Sequence, residues 1–138
     1  MLGATYQIIA GIVVLTVVTI AYGGTFVLRV TRGTVPANGL QKTFFRAGHA
    51  HAGVLVILGL LALTIEQLNN VRAPYPAISL GILVAAILIP SGFFLSVIGR
   101  DPTEPNRAIG LLWVGAAALT VGLISAGVGL ITTGLASS

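Results

Sequence analysis

The sequence predicts an all-α fold, an integral membrane four-transmembrane-helix bundle that forms a single domain over residues 1–138. Two observations lead to this class. Of the 138 residues, 56% are hydrophobic and only 7% are charged, whereas a soluble domain carries about 25% charged residues. The few charged residues also cluster along the chain. They leave four apolar stretches, each long enough for the roughly 20 residues that a helix needs to cross a bilayer.

These stretches define the predicted spans. They cover residues 6–28, 44–65, 77–98 and 108–131. A helix of roughly 22 to 24 residues is about 33–36 Å long, which is enough to cross the hydrocarbon layer with a modest tilt. We expect helices rather than an open sheet, because lipid offers no partners for the hydrogen-bonding groups at a sheet edge.

Helix breakers and charges mark the boundaries of the spans. Pro36 and the glycines on either side of it lie in the loop that follows the first span, and such residues favour turns over helix. Glu66 marks the end of the second span, and we expect it to belong to the polar segment that begins there. Pro74 and Pro76 turn the chain into the third span, and a charged loop over residues 100–107 separates the third span from the fourth.

The basic residues set the predicted orientation. Six of the seven lie in or beside the first and third loops: Arg29, Arg32, Lys42, Arg46, Arg100 and Arg107. The second loop holds Arg72 alone, and neither tail carries a charged side chain. Cytoplasmic loops of membrane proteins are enriched in lysine and arginine. We therefore expect a multi-pass protein of the cell inner (plasma) membrane with loops 29–43 and 99–107 in the cytoplasm and both termini outside.

Small residues indicate where the helices pack and which partners they have. Ala118, Gly122 and Ala126 form a small-xxx-small series on the fourth span, and Gly48 and Ala52 form another on the second. In lipid such residues let helices approach closely. The series fit packing within the bundle, and they also fit a homo-oligomer interface. We expect the partners to be the lipid bilayer and either further copies of the chain or a larger membrane complex. The net charge of +4 belongs to loops beside spans, so we expect no nucleic-acid partner.

The feature that points to chemistry is a pair of histidines, His49 and His51, near the start of the second span. Ionisable residues inside a span are costly and are candidates for function. His49 lies about 7–8 Å into the span, and His51 lies about 3 Å deeper. Residues i and i+2 of a helix are separated by about 200°, so the two rings cannot easily bind one metal from one regular helix. They could serve two sites, or one could act as a ligand while the other faces a neighbouring helix or subunit.

Other residues lie at a similar predicted depth and complete a candidate cofactor-binding layer. Tyr22 and Trp113 approach it from the first and fourth spans. Gly53 lies one turn beyond His49 on the same face and leaves space for a flat macrocycle or a partner helix. Arg46 lies one turn before the histidines, where it could neutralise a propionate or another anion. Ordinary roles fit as well, because aromatic residues form belts at membrane interfaces and arginines anchor the cytoplasmic side.

A His-Ala-His motif opens the apolar helix in the run Gly48–Gly53. It resembles motifs in the membrane helices of haem–copper oxidase relatives, such as the large subunit of nitric oxide reductase and NnrS-like membrane proteins. In those families such histidines ligate haem or copper, and the resemblance implies the role of metal ligand for His49 and His51. Those relatives have more helices and further histidines, so it does not imply a binuclear oxygen-reducing centre in one protomer. It implies haem b, a copper ion or a quinone at one or both histidines.

Three functions follow from these observations. The first is an electron-transfer or redox membrane protein that binds haem or a metal through His49 and His51, alone or across a homo-oligomer. The second is a non-enzymatic accessory subunit of a larger membrane complex, such as a respiratory one. The third, a small proton or metal transporter, is less favoured because Glu66 is the only carboxylate near a span and lies at its outer end. Whether the chain is an enzyme stays open. Hydrolysis is disfavoured, because no span holds a carboxylate pair and no zinc-protease motif occurs.

Overall fold

The helices of the protein extend beyond most of the apolar stretches that mark them in the sequence. In the computed structural model, which describes residues 3–137, they are α1 (Ala4–Thr31), α2 (Gly39–Leu68), α3 (Tyr75–Ser79), α4 (Gly81–Ser96) and α5 (Gly110–Ser137), with a 3-10 turn over Arg107–Ile109. No strand occurs in that part of the chain, which confirms the all-α class. With α3 joined to α4 and the 3-10 turn joined to α5, four helical segments are long and apolar enough to cross a membrane.

Side-chain caps explain why α2 begins at Gly39, before the apolar stretch starts. Asn38 Oδ1 accepts a hydrogen bond from the Gln41 nitrogen at 2.9 Å, and Gln41 Oε1 accepts one from the Asn38 nitrogen at 3.1 Å. This reciprocal pair is a capping box, which satisfies two backbone N–H groups at the helix start. At its other end α2 continues to Leu68, so the expectation that Glu66 belongs to the polar segment after the span is wrong. Glu66 lies within the helix and is 0% exposed.

The helices lie side by side, with α2 and α4 in the middle. α1 packs against α2 alone, whereas α4 packs against both α2 and α5. Glycines bring α4 and α5 close together. A Cβ on Gly122 would lie 2.8 Å from the Ile82 nitrogen, and a Cβ on Gly92 would lie 2.6 Å from the Leu112 nitrogen. Gly122 and Ala126 are buried, so this part of the small-residue series on α5 packs inside the bundle.

The loops distinguish the two ends of the bundle. The first basic loop, residues 32–38, and the second basic loop, residues 97–106, lie together at what we call the basic end. The 69–74 loop lies beside the end of α5 at what we call the opposite end. Because the loops alternate between the ends, consecutive helical segments run antiparallel.

The two basic loops are joined by side chains at the start of α2. Asn38 Nδ2 donates hydrogen bonds to Asp101 Oδ1 at 2.9 Å and to the Pro102 carbonyl oxygen at 2.8 Å. Gln41 Nε2 donates to two further carbonyl oxygens of the second basic loop, each at 3.0 Å. The capping residues of α2 therefore also hold the second basic loop in place, which gives that charged segment a structural role.

All five phenylalanines meet in one layer near the basic end. Phe45 of α2 contacts Phe26 of α1 and Phe94 of α4, with ring centroids 5.2 and 5.4 Å apart. Phe44 contacts Phe93 at 5.5 Å. Aromatic pairs contribute about 0.5–1.5 kcal/mol beyond the area that they bury. The layer therefore ties three helices together beside the histidines.

Candidate functional site

The two histidines lie on opposite sides of α2, as their spacing predicts. His49 faces α1, where its ring contacts Gly24. His51 is exposed and contacts Phe93 of α4. Each ring therefore meets a different neighbouring helix, as expected for residues about 200° apart on one helix.

His49 is half-buried between α1 and α2, and its ring lies against two glycines. A Cβ on Gly24 would lie 3.2 Å from His49 Nε2 and 3.4 Å from His49 Cε1, and a Cβ on Gly23 would lie 3.8 Å from Nδ1. A larger residue at position 24 would press on the ring, whereas glycine lets α1 approach it. The ring nitrogens of His49 lie toward these two glycines, so α1 partly covers them.

His51 is held by a hydrogen bond to its own helix. His51 Nδ1 lies 2.8 Å from the Ala47 carbonyl oxygen. A carbonyl oxygen has no hydrogen to donate, so Nδ1 carries the proton and Nε2 of the neutral ring keeps a free lone pair. The ring also packs against Phe93, with centroids 5.2 Å apart. Metal-ligating histidines use this arrangement, in which one ring N–H donates to a carbonyl and the other nitrogen coordinates the metal.

The remaining residues of the predicted layer do not gather around the histidines. Tyr22 is 76% exposed and Trp113 is 69% exposed, and no hydrogen bond or ring contact joins either of them to a histidine. Arg46 is exposed and forms no ion pair with any residue between 3 and 137. Space is open beside Gly53, where a Cβ would meet nothing within 4 Å. These four residues therefore lie on the surface of the bundle and do not line a preformed pocket around the histidines.

Within residues 3–137, no three His, Asp or Glu side chains come together as a metal site. The sequence has no cysteine and only two histidines. Among the described residues, His51 therefore belongs to no group of three or more His, Asp or Glu side chains that could hold a metal ion.

Glu66 is a candidate site residue that sequence reasoning misses. Ser79 Oγ lies within hydrogen-bond distance of Glu66 Oε1, at 2.6 Å, and Glu66 Oε2 has no hydrogen-bond partner among the described residues. Gly59, Leu63 and Glu66 follow one another at spacings of four and three residues, and all three are buried. This helical spacing is the signal that could have placed Glu66 on the buried face of α2.

Comparison of the chain with models of protein families, with curated proteins and with solved structures finds no match. The resemblance to haem–copper oxidase relatives therefore depends on the short His-Ala-His run alone. The function has to be argued from the geometry of the groups described above.

Proposed function

We propose that the protein is a multi-pass integral membrane protein that binds haem b through His51 and transfers electrons. In this proposal the four helical segments cross the inner (plasma) membrane, with the basic end in the cytoplasm and both termini outside. Support for insertion comes from the length and apolar composition of these segments. Large apolar side chains such as Leu15, Ile87 and Ile131 also cover the outside of the bundle. An apolar surface of this extent is rare on soluble monomers.

The observation that carries the proposal is the hydrogen bond between His51 Nδ1 and the Ala47 carbonyl oxygen. It fixes the ring orientation and leaves the lone pair of Nε2 free to bind a metal ion. The ring is exposed beside Phe93, so a planar group can approach Nε2 without displacing any helix. His49 lacks this freedom because its ring packs against α1.

A single open imidazole suits haem better than copper. Protein copper sites are built from several histidine or sulfur ligands, and residues 3–137 bring no three ligating side chains together. Haem iron already holds four macrocycle nitrogens and needs only axial ligands from the protein. The single exposed imidazole that the chain offers as a metal ligand therefore favours haem b over a copper ion.

A second copy of the chain would supply a second histidine to the haem. His49 is turned toward α1, so one chain offers one exposed histidine. Two copies that face each other through this side of α2 would both present His51 to one haem. The symmetric pair would form an isologous interface, which is the commonest arrangement in homodimers.

The haem would supply a reversible one-electron couple, and the chain would supply binding and surroundings. His51 would hold the iron, and Phe93 would cover one edge of the site with apolar surface. Arg46 precedes His51 by five residues on α2, about 7–8 Å along the helix axis toward the basic end. Five residues also turn the helix by about 500°, so Arg46 lies about 140° from His51 around α2, and its long exposed side chain would have to reach round the helix to pair with a propionate.

The test is a reduced-minus-oxidised visible spectrum of the protein, purified in mild detergent from cells supplied with haem. We expect Soret and α-band changes typical of haem b in the wild type and in His49→Ala, and their loss in His51→Ala. His49→Ala is the matched control. It also removes an imidazole ring, but this ring lies two residues before His51 and faces α1. A colourless wild type, or bands that survive in His51→Ala, would overturn the assignment of the ligand.

A non-enzymatic accessory subunit is the second candidate, and the position of α1 favours it. Because α1 packs against α2 alone, an apolar groove remains between α1 and α4. The groove has a volume of about 410 Å³, with Val56 of α2 at its floor. A helix of a larger complex could fill it. Native electrophoresis of mild-detergent membrane extracts tests this candidate, which predicts a haem-free chain migrating in an assembly far larger than a dimer.

A further inference from the structure

A buried polar cluster lies near the opposite end of the bundle, away from both histidines. Its members are Glu66 of α2, Ser79 and Tyr75 of α3, and Ser125 of α5. Glu66 is 0% exposed, Ser79 is 5% exposed and Ser125 is 7% exposed. The three polar side chains of Glu66, Ser79 and Ser125 therefore have almost no contact with the surroundings of the bundle, and the Tyr75 carbonyl connects the two serines.

The hydrogen atoms available to this cluster do not suffice if Glu66 is ionised. Ser79 Oγ lies 2.6 Å from Glu66 Oε1 and 2.7 Å from the Tyr75 carbonyl oxygen. Ser79 has one hydroxyl hydrogen, and the carbonyl oxygen has none. A carboxylate would leave one of these two short oxygen–oxygen contacts without a hydrogen. A carboxylic acid supplies the second hydrogen, because its O–H can donate to Ser79 Oγ while Ser79 donates to the Tyr75 carbonyl.

No counter-ion compensates a charge on Glu66. No ion pair is formed by any residue between 3 and 137, and Glu66 Oε2 has no hydrogen-bond partner in that range. α4 and α5 carry no charged side chain, and α3 carries only the phenol of Tyr75 as a titratable group. The nearby charged residue of the 69–74 loop, Arg72, is exposed. A buried charge without a partner is strongly unfavourable, and a group in this position takes its neutral form.

A polar surface pocket lies next to the cluster. A surface pocket of about 570 Å³ at the opposite end is lined by polar side chains that include Asn69, Arg72 and Thr132, and also by Tyr75. The Tyr75 carbonyl belongs to the buried cluster, where it accepts hydrogen bonds from Ser79 and from Ser125, the latter at 3.0 Å. Tyr75 thus separates Glu66 from this pocket and contributes to both.

We propose that Glu66 is a proton-binding site that exchanges its proton with water in this pocket. In the loaded state the Glu66 carboxyl O–H donates to Ser79 Oγ, and the Ser79 hydroxyl donates to the Tyr75 carbonyl oxygen. On release the Glu66 O–H bond breaks and the proton passes to water in the pocket. The Ser79 hydroxyl then turns to the carboxylate, while Ser125 still donates to the Tyr75 carbonyl. The site is independent of haem binding at His51.

Infrared difference spectroscopy of the wild type against Glu66→Gln tests this proposal. The only other carboxyl side chains are Asp101 and Glu104, which are exposed and present in both proteins. We expect a protonated-carboxyl C=O band in the wild type at neutral pH, absent from Glu66→Gln, that shifts in D₂O and disappears reversibly at alkaline pH. Ser79→Ala should shift the band. The matched change Ser91→Ala should leave it in place, because Ser91 of α4 lies outside the cluster and donates to the Ile87 carbonyl of its own helix.

Three results would overturn the proposal. A missing band at neutral pH would mean that Glu66 is ionised. A band that neither shifts in D₂O nor responds to pH in the folded protein would mean a permanently closed, purely structural acid. In a third measurement, Na⁺ replaces a large organic cation at constant pH and ionic strength. If this replacement abolishes the band, the site binds a metal cation and not a proton alone. Because the visible spectrum of any bound haem should be unchanged in Glu66→Gln, failure of this proposal is distinguishable from failure of the haem proposal.

Discussion

The close packing of α4 against α5 is tested by adding one methyl group at Gly122. In Gly122→Ala the new Cβ would lie 2.8 Å from the Ile82 nitrogen and 2.9 Å from Ile82 Cγ1. The nitrogen is backbone, so the two helices have to separate. Overpacking of this kind costs about 1–3 kcal/mol, and the better helix propensity of alanine returns up to about 1 kcal/mol. We therefore expect Gly122→Ala to lower the free energy of unfolding by roughly 1–2 kcal/mol.

Gly127→Ala is the matched control, because it lies on the same helix and meets nothing within 4 Å. It should leave stability unchanged or raise it by up to about 1 kcal/mol. The difference between the two variants removes the propensity contribution and reports the close contact, about 1–3 kcal/mol. Reversible unfolding by SDS in detergent micelles, followed by near-ultraviolet circular dichroism, measures both. Equal stabilities of the two variants would refute the packing of α5 through Gly122.

Three further predictions follow from contacts at the two ends of the bundle. Asn38→Ala removes the cap of α2, which costs about 1 kcal/mol, and both hydrogen bonds to the second basic loop. Amide hydrogen exchange in that loop should accelerate, and unchanged rates would contradict the joined loops. Phe45→Ala should cost about 3–5 kcal/mol by SDS unfolding, whereas Trp113→Ala, at an exposed side chain, should stay within about 0.5 kcal/mol. Similar losses in both would be evidence against the phenylalanine layer. Because the chain has no cysteine, a single introduced cysteine can report on which side of the membrane its position lies. A membrane-impermeant maleimide added to spheroplasts should label Ala136→Cys and spare Thr34→Cys, and the reverse pattern would invert the orientation.

Much of the fold is predictable because composition alone marks the apolar stretches. The all-α class and the number of long helices follow from them, and the structure confirms both. The helix ends are less well predicted, because they depend on polar side chains whose partners lie far away in sequence. Gln41 both caps α2 and reaches the second basic loop. The partner of the buried Glu66 carboxyl is likewise distant in sequence, since it is Ser79 on α3.

The candidate site is predictable only as far as local helix geometry determines it. The spacing of His49 and His51 correctly gives opposite faces of α2. It does not reveal which neighbour each ring meets, because that depends on how α1 and α4 pack against α2. The contacts with Gly24 and Phe93 are long-range, and they distinguish the half-buried His49 from the exposed His51. The oxygen contacts of Glu66 are likewise set by packing between helices.

The central claim is that His51 is the open ligand and that two chains share one haem. Native mass spectrometry of the detergent-solubilised protein from haem-supplied cells tests it most directly. The mass of the intact complex gives both the number of chains and the number of bound haems. We predict a complex of two chains and one haem for the wild type and for His49→Ala, and haem-free chains for His51→Ala. A haem retained by a single chain, or by His51→Ala, would contradict the account.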